Sequence, residues 1–243
     1  MSDELATERT CLDWYQIVTR LGEQHGPASR EPLPLGNKSD PYDELVYILL
    51  TVMTRSQPRI DRAYEGLCHL RGNAGWSGLL ATEEDELREV LEPLGFVNRR
   101  LDQILGTVRV IEEELGGSLE ALQGLADHAA LEALVSLPGV GEKTAKCVLM
   151  YSLGRPVLPV DIHVLRVSKR LGLIETRASW RVAGQQLERE VPDDLKYAVH
   201  VQFVVHGREV CTGPRPSCGS CVLEFDCPAA HLAPQLRSHY TGT

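Results

Sequence analysis

The chain has 243 residues, of which 43% are hydrophobic and 24% charged, and its formal net charge at pH 7 is -9. This composition is typical of a soluble globular protein with one large domain or two small ones. No apolar run reaches the ~18 residues of a membrane span, and the start of the chain lacks the features of a secretory signal, so we expect a cytoplasmic protein. Aromatic residues make up only 5%, and Leu, Ala, Glu and Arg recur at helical spacing, which predicts a mostly α-helical fold.

The first strong helix signal is the segment SDPYDELVYILLTVM, which begins at residue 39. Asp40 has the character of an N-cap and Pro41 suits the first helical position, so a buried helix is predicted to start there. Further helices are predicted at residues 59–70, 84–91, 98–115, 119–125, 128–136, 142–153 and 161–171. The segment AVHVQFVVHG, residues 198–207, is apolar and β-branched. Its pattern favours a strand, although the residues alone leave its structure open.

Charge is distributed unevenly along the chain. Residues 82–92 carry six acidic side chains and one basic one, whereas residues 137–170 carry two acids and six bases. The six bases are Lys143, Lys146, Arg155, Arg166, Lys169 and Arg170. This second stretch predicts a locally cationic face that binds phosphates despite the acidic total. The alternative is an ordinary solvated face.

The sequence LPGVG, residues 137–141, predicts a tight hairpin between two helices. Gly139 and Gly141 allow the backbone to turn with its amides facing outward, and the next helix adds its positive N-terminal end. Together these groups form a phosphate site that needs no side chain. The alternative is a plain turn between two helices, in which glycines are common.

Lys143 is predicted in the first turn of the helix after the hairpin, where the helix dipole repels a cation. An amine with the ordinary pKa of about 10.4 is almost fully protonated at neutral pH, whereas a pKa about three units lower makes it a usable nucleophile. The helix N-terminus, the neighbouring Lys146 and partial burial all act in that direction. The alternative is a surface lysine that meets a phosphate as a simple charge.

Asp161 lies between a Pro-rich turn and the next predicted helix, so it is a candidate N-cap. A capping carboxylate is also held rigidly and kept ionised. It could therefore stabilise positive charge on a sugar, and the two roles are compatible.

Four of the seven cysteines crowd into one short segment with the spacing C-x6-C-x2-C-x5-C. They are Cys211, Cys218, Cys221 and Cys227. Four thiolates suit either structural zinc or a 4Fe-4S cluster, and the single short C-x2-C pair favours the cluster without deciding it. The scattered cysteines are predicted to be small core residues of helices. These are Cys11, Cys68 and Cys147.

In this order the hairpin, lysine, aspartate and cysteine segment resemble the endonuclease III family of DNA glycosylases, within the helix-hairpin-helix superfamily. The matching motifs are LPGVGEKTA, PVDIHVLRV, HGREVC and CGSC, in a resemblance that covers residues 39–227. It implies that Lys143 is the Schiff-base lysine and Asp161 the catalytic aspartate. It also implies that the four crowded cysteines bind a 4Fe-4S cluster, and that residues 198–207 are a helix.

The resemblance further implies an all-α fold of two helical domains with the active site in the cleft between them. Residues 35–154 would form a six-helix barrel, and residues 1–34 with 155–243 would form the cluster domain. Double-stranded DNA with a damaged base or an abasic site is the implied partner, at the nucleoid if the source is bacterial, and we expect a monomer. The implied DNA-binding residues include Leu137, Gly139, Val140, Gly141, Lys146, Arg215 and Phe96.

Phe96 falls where the family inserts an apolar wedge into the duplex, and the alternative is an aromatic residue of the core. At the end of the first barrel helix the family carries a glutamine that fills the space left by the flipped base. A gapless alignment puts Thr54 there, with Gln57 one turn further on, and both are included as candidate DNA contacts. Lys146 stands where asparagine is usual and would add a charge beside the hairpin.

These features predict a bifunctional DNA glycosylase and AP lyase that acts on damaged pyrimidines. The adenine-mismatch branch is a weaker match because it generally lacks the lysine and has a long additional C-terminal domain, whereas this chain ends at residue 243, soon after Cys227. A thymine-mismatch glycosylase stays open. So does a lesion-binding or redox-sensing DNA protein with weak catalysis, although Lys143 argues against it because binding alone does not require an amine.

Overall fold

The computed structural model describes residues 13–31, 33–54 and 56–232 of the chain. Within these ranges the protein contains α-helices and short 3₁₀ helices and no strand, which confirms the all-α prediction. The ten α-helices of the described residues are α1 (Trp14–His25), α2 (Pro41–Thr51), α3 (Gln57–Arg71), α4 (Glu84–Leu91), α5 (Val97–Leu115), α6 (Asp127–Val135), α7 (Glu142–Tyr151), α8 (Ile162–Arg170), α9 (Trp180–Glu190) and α10 (Lys196–Glu209).

The chain divides into two compact units. Residues 30–155 form the first unit and contain the six helices from α2 to α7. Described residues on both sides, 13–29 and 156–232, form the second unit, with helices α1, α8, α9 and α10. None of the helices in the described part of the chain combines the length and the apolar character that a membrane crossing needs.

The first unit is organised around α2, which is buried almost completely. Asp40 caps this helix as predicted, because its carboxylate accepts the backbone N–H groups of Tyr42 and Asp43 at 2.9 and 2.8 Å. Helices α3, α5 and α7 pack against α2. Because α2 packs against α7, residues of α2 lie close to the helix that follows the hairpin.

The segment of residues 198–207, whose structure the sequence left open, lies in α10. Residues 198–207 belong to a helix, so the strand-like periodicity was misleading. The helix packs against α1 and α8 and is buried on nearly every side, so it has no polar face. Without a polar face the 3.6-residue period is not visible in the sequence.

Smaller differences concern helix type and the scattered cysteines. The predicted helix at 119–125 is a 3₁₀ helix, Glu120–Gly124, and the helix predicted to start at residue 59 begins two residues earlier. Cys147 is buried in the core as predicted, whereas Cys68 is only half-buried. Cys11 lies outside the described residues.

Candidate active site and cysteine loop

The hairpin between α6 and α7 is built from backbone and from two buried apolar side chains. Leu137 and Val140 point into the core, and the Val140 N–H donates to the Leu137 carbonyl at 3.2 Å. The hydroxyl of Thr107, on α5, donates to the carbonyl of Pro138 at 2.6 Å. Because Leu137 and Val140 face inward and two other hairpin residues are glycines, the exposed surface of the hairpin consists of backbone and the Pro138 ring, so the polar groups that it can offer to a ligand are backbone groups.

The two hairpin glycines have different roles. Gly139 has a φ of 75°, in the left-handed region, and a Cβ placed there would lie 2.7 Å from Cγ of Gln103. Gly141 has an ordinary φ of -94° and open space around it, and it is the N-cap of α7. The conformation and the space therefore require glycine at residue 139 only.

Lys143 is the second residue of α7 and is half-buried. The sequence placed it in the first helical turn, and the structure agrees. Glu142 precedes it and places a negative charge in the first turn of α7, where the helix dipole stabilises an acid. Lys143 therefore lies directly beside the exposed backbone of the hairpin.

Lys146 does not add an exposed charge beside the hairpin. The residue is only 7% exposed, and its ammonium forms an ion pair with the carboxylate of Glu142 at 3.0 Å. One helical turn separates the two residues, which is the spacing at which such pairs form. The buried position does not suit the direct phosphate contact that we expected of Lys146.

The predicted cationic face is mostly internal. Besides Lys146, three of the bases in residues 137–170 are buried, namely Arg166, Lys169 and Arg170. Arg155 binds Asp127 at 2.7 Å and also donates to backbone carbonyls. Residues 137–170 therefore form neither a phosphate-binding face nor an ordinary solvated face. Most of their basic side chains are buried or bound to other groups of the protein.

A buried acid that the sequence analysis did not single out lies close to α7. Glu44 on α2 is 0% exposed, and its Oε2 accepts the backbone N–H of Lys38 at 2.6 Å. Oε1 has no hydrogen-bond partner among the described residues. Burial raises the pKa of Glu44 to about 8, although the Lys38 amide and the charges of Lys143 and Lys38 oppose the shift. The only signal in the sequence was an acid followed by the apolar run LVYILL.

Asp161 is the N-cap of α8, as predicted. Its Oδ1 accepts the backbone N–H groups of His163 and Val164, both at 2.8 Å. These bonds fix the carboxylate at the start of the helix and favour its ionised form. Asp161 belongs to the second unit, whereas Lys143 belongs to the first.

The cysteine loop, residues 211–227, is held by two buried arginines near the end of α8. Arg166 donates to the Cys211 carbonyl at 2.9 Å. Arg170 donates to the carbonyls of Thr212 and Gly213, both at 2.6 Å, and to Sγ of Cys211 at 3.3 Å. The same helix therefore carries Asp161 at its beginning and the cysteine loop at its end.

The four thiols of this loop surround one cavity, which is otherwise lined mainly by apolar groups. Within the described residues, no three His, Cys, Asp or Glu side chains converge closely enough to hold a single metal ion. A mononuclear zinc site draws its thiolates to about 2.3 Å from one point. The four cysteines that line this cavity are the residues that would hold a metal centre.

Burial and hydrogen bonds define the surroundings of these thiols. Burial, with smaller contributions from the other three thiols, raises the pKa of Cys221 to about 12. A thiol with this pKa is neutral at physiological pH, and a bound metal would be needed to ionise it. The Leu223 N–H, 3.4 Å from Sγ of Cys221, and Arg170 at Cys211 supply the hydrogen bonds that cluster sulfurs accept.

Two predicted DNA-binding residues are exposed. Arg215 lies on the cysteine loop, where its carbonyl accepts the hydroxyl of Thr212 at 2.7 Å and its side chain faces outward. Phe96 is 62% exposed and precedes α5 with a φ of 52°. The alternative interpretation of Phe96 as a core aromatic is therefore wrong.

Thr54 and Gln57 do not share one helix. Helix α2 ends at Thr51, and Gln57 begins α3, where its amide donates to Tyr47 and to Asp61, the latter at 2.9 Å. The Thr54 hydroxyl accepts a bond from Arg100 at 2.7 Å, so neither side chain reaches outward. Of the described residues at this point Val52 and Met53 are exposed, and Met53 is the more exposed of the two at 75%. No sequence signal marked Met53, because a left-handed backbone at a non-glycine residue has no reliable pattern.

Comparisons with known proteins agree with this geometry. The model of the HhH-GPD superfamily of base excision DNA repair proteins matches residues 53–193. Endonuclease III of Escherichia coli (strain K12) is 30% identical over 212 residues, which cover 87% of this chain and 93% of that protein. Endonuclease III of Thermotoga maritima is 29% identical over 227 residues, which cover 93% of this chain and 92% of that protein.

Solved structures share the fold. A trapped covalent intermediate of endonuclease III with DNA superposes with a TM-score of 0.76 at 23% identity, over 89% of this chain and 96% of that chain. A thermostable thymine-DNA glycosylase superposes with a TM-score of 0.73 at 19% identity, over the same shares of the two chains. At these identities the likeness concerns the fold alone.

Proposed function

Because the chain belongs to the HhH-GPD superfamily of base excision DNA repair proteins, and within it to the endonuclease III family, we propose that it is a bifunctional DNA glycosylase and AP lyase for damaged pyrimidines in duplex DNA. Lys143 is its nucleophile and Asp161 its second catalytic residue. The observation that carries the proposal is the position of Lys143, half-buried in the first turn of α7 and directly after a hairpin whose exposed polar groups are backbone groups.

Lys143 acts as an unprotonated amine that attacks C1′ of the damaged nucleotide. The bond between C1′ and the base breaks, and its electron pair leaves with the base. The nitrogen then loses a proton to O4′ as the C1′–O4′ bond breaks, which opens the sugar ring and leaves a protonated imine between Lys143 and C1′. Removal of a proton from C2′ breaks the C3′–O bond and releases the 3′ phosphate, which cleaves the strand.

Asp161 stabilises positive charge at the sugar while the base departs. Its carboxylate suits this task because two backbone N–H groups already hold it ionised and immobile at the start of α8. A carboxylate that is fixed before the reaction needs no reorganisation when charge develops. This role is electrostatic, and the nucleophilic step stays with Lys143.

DNA binding uses backbone amides at the hairpin and exposed side chains elsewhere. The amides after Gly139 and at the start of α7 suit a phosphate, which the helix dipole also favours. Phe96 enters the base stack and offsets part of the few kcal/mol that extrusion of a nucleotide requires. Arg215 adds a cation for the backbone. We expect the protein to act as a monomer, with residues 35–154 as the barrel domain and residues 1–34 with 155–243 as the cluster domain.

Cys211, Cys218, Cys221 and Cys227 hold a 4Fe-4S cluster in the cavity that they surround. When bound, the cluster supplies a cross-link that joins the turns of the cysteine loop and so presents Arg215 to the phosphate backbone. Apart from Leu223 and the last cysteine, the loop buries few side chains of its own, so this cross-link is its main source of order.

Duplexes that each contain one lesion test the proposal, with base release and strand cleavage scored separately. The set includes oxidised pyrimidines, a G·T mismatch and an abasic site. Borohydride should trap the protein on the abasic duplex, and Lys143→Gln should abolish trapping. Release of thymine alone would assign the mismatch activity instead. Specific binding without base release or trapping would indicate a lesion-binding protein.

A further inference from the structure

Arg100 is a buried cation in an unusual position. It lies in the first turns of α5, where the helix dipole opposes a positive charge, and it is only 3% exposed. Burial and the neighbouring Arg99 lower the pKa of Arg100. The hydrogen bonds that the structure gives its guanidinium all go to neutral oxygens, so its burial must be offset by the number of those bonds.

Some of these bonds complete the end of α2. Nη1 of Arg100 donates to the carbonyls of Leu49 and Leu50 at 3.1 and 3.0 Å. The last carbonyls of a helix have no partners within the helix, and a cation there is favoured by the dipole. This part of the network is a helix cap and has a purely structural explanation.

The remaining bonds go beyond a helix cap. Nη2 of Arg100 donates to the Val52 carbonyl and, at 2.7 Å, to the Thr54 hydroxyl. Nε donates to the Gly95 carbonyl at 2.8 Å, and Nη2 also contacts the Leu94 carbonyl at 3.4 Å. One guanidinium thus binds the residues on both sides of position 53 and the two residues before position 96.

The residues at these two positions share two properties. Met53 and Phe96 are 75% and 62% exposed, which is high for large apolar side chains. Their φ angles are 58° and 52°, in the left-handed region that non-glycine residues rarely enter. The backbone of each is therefore held in a conformation that directs an apolar side chain into solvent.

We propose that Arg100 is a positioning residue that holds Met53 and Phe96 as one pair of apolar side chains, which enter the base stack of duplex DNA together. This inference rests on the proposed function. Because the two loops are bound to the same planar group, displacement of one loop breaks bonds that also position the other. The two side chains therefore act as a unit, with Arg100 as the link between them.

Duplex DNA is the occupant that the surroundings favour. Arg99, next to Arg100, and Arg59, whose guanidinium reaches the Pro93 carbonyl at 3.4 Å, are both exposed close to the Phe96 loop. Glu89 and Glu92 are exposed near Arg59, so Arg99, which is three residues after Phe96, is the cation that counts most here. Exposed apolar side chains beside an exposed cation suit a polyanion whose interior is apolar. Proteins that kink or open DNA combine these two elements.

A double-mutant cycle tests the link directly. Met53→Ala, Phe96→Ala and the double variant are compared in the wild-type and Arg100→Met backgrounds. The readouts are single-turnover base release and the fluorescence of 2-aminopurine placed beside an uncleavable abasic analogue. Each single variant should lower base release about tenfold, and the double variant should lose much less than the hundredfold of independent effects.

In the Arg100→Met background the same substitutions should each change base release less than about twofold, because the pair is already lost. Arg100→Lys, which retains a cation with fewer donors, should restore part of the activity. Leu115→Ala is the matched control, since Leu115 is an exposed apolar residue at the opposite end of α5 and should change nothing.

Independent, multiplicative effects of Met53→Ala and Phe96→Ala in wild-type protein would overturn the proposal. Equal losses of base release and of cleavage at a pre-formed abasic site in Arg100→Met, together with a lowered Tm, would also overturn it and leave Arg100 as a helix cap. The fluorescence signal needs no chemistry. A wild-type protein that unstacks the probe but neither releases bases nor forms an imine would therefore refute the enzymatic proposal and leave this one standing.

Discussion

The hairpin and the cysteine loop are two ligand-facing turns with opposite sources of order. The hairpin is complete in itself, because Leu137 and Val140 anchor it in the core and Thr107 binds its carbonyl. The cysteine loop depends on external support from the buried Arg166 and Arg170 and on whatever its thiols bind. A turn with apolar anchors can expose bare backbone to a phosphate. A turn without them needs cross-links before it can present a side chain such as Arg215.

The largest expected effect is the loss of covalent trapping, without loss of DNA binding, when Lys143 after the hairpin is replaced. Lys143→Gln should lower borohydride trapping on abasic DNA by at least about a thousandfold, while the Kd for that DNA changes less than about threefold, since the hairpin itself is untouched. Gel analysis of trapped complexes and a binding titration measure the two quantities. Lys146→Gln is the control, and trapping that persists in Lys143→Gln but not in the control would reassign the nucleophile.

Loss of the metal should be the next largest effect and should be confined to the cysteine loop. Purified protein should contain about four irons per chain and absorb broadly near roughly 400 nm. Cys218→Ser should remove this absorption, weaken DNA binding on the order of a hundredfold, and expose the loop to protease, while Cys68→Ser, the same substitution on α3 of the other unit, changes none of these. A colourless protein with one bound zinc would contradict the cluster.

A pair of glycine substitutions tests whether the hairpin depends on its backbone alone. Gly139→Ala should weaken DNA binding about tenfold, because a left-handed residue and the contact with Gln103 together cost on the order of 1–2 kcal/mol. Gly141→Ala has an ordinary φ and open space, so it should change binding less than about twofold. Equal effects of both substitutions would mean that the conformation of residue 139 does not control the site.

Glu44 should make the stability of the hairpin side depend on pH. Burial raises the pKa of Glu44 from 4.5 to about 8, so the folded protein retains a proton that the unfolded chain has lost. Stability contributed by this proton is present below pH 4.5 and is lost as the pH rises toward 8. Wild-type protein should lose a few kcal/mol of unfolding free energy between pH 5 and pH 8.5, whereas Glu44→Gln should lose little.

Urea unfolding at the two pH values measures the difference. Glu65→Gln, an exposed acid on α3, is the matched control and should behave like wild type. A parallel pH dependence in Glu44→Gln would show that other groups control the alkaline loss. We expect Glu44→Gln to change activity less than Lys143→Gln, Cys218→Ser or Gly139→Ala does.

Features that depend on local sequence were predictable, and those that depend on tertiary packing were not. Asp40 and Asp161 were identified as N-caps because capping uses a few neighbouring residues. Lys146 and the other bases of residues 137–170 were expected at the surface, and only the packed structure reveals that most of them are buried. Helix α10 lacked a visible period for the same reason.

The turn after α2 shows where alignment by residue number fails. A gapless alignment put Thr54 at the end of the helix and Gln57 one turn further on, whereas the helix ends at Thr51 and is followed by the exposed Val52 and Met53. A change of one residue in a turn redirects every side chain that follows. Arg100, almost fifty positions later, binds the residues on both sides of Met53, and no local pattern contains that information.

Helix α8 joins the aspartate and the cysteine loop through nine residues, a length of about 13 Å. Binding energies that meet on one rigid element are thermodynamically linked, and the linkage is reciprocal. If the cysteine loop orders α8, then a ligand that binds Asp161 more tightly when α8 is ordered must in turn favour the ordered loop. DNA would then protect the cluster from oxygen, and the enzyme would be longest-lived in air when it is occupied by its substrate.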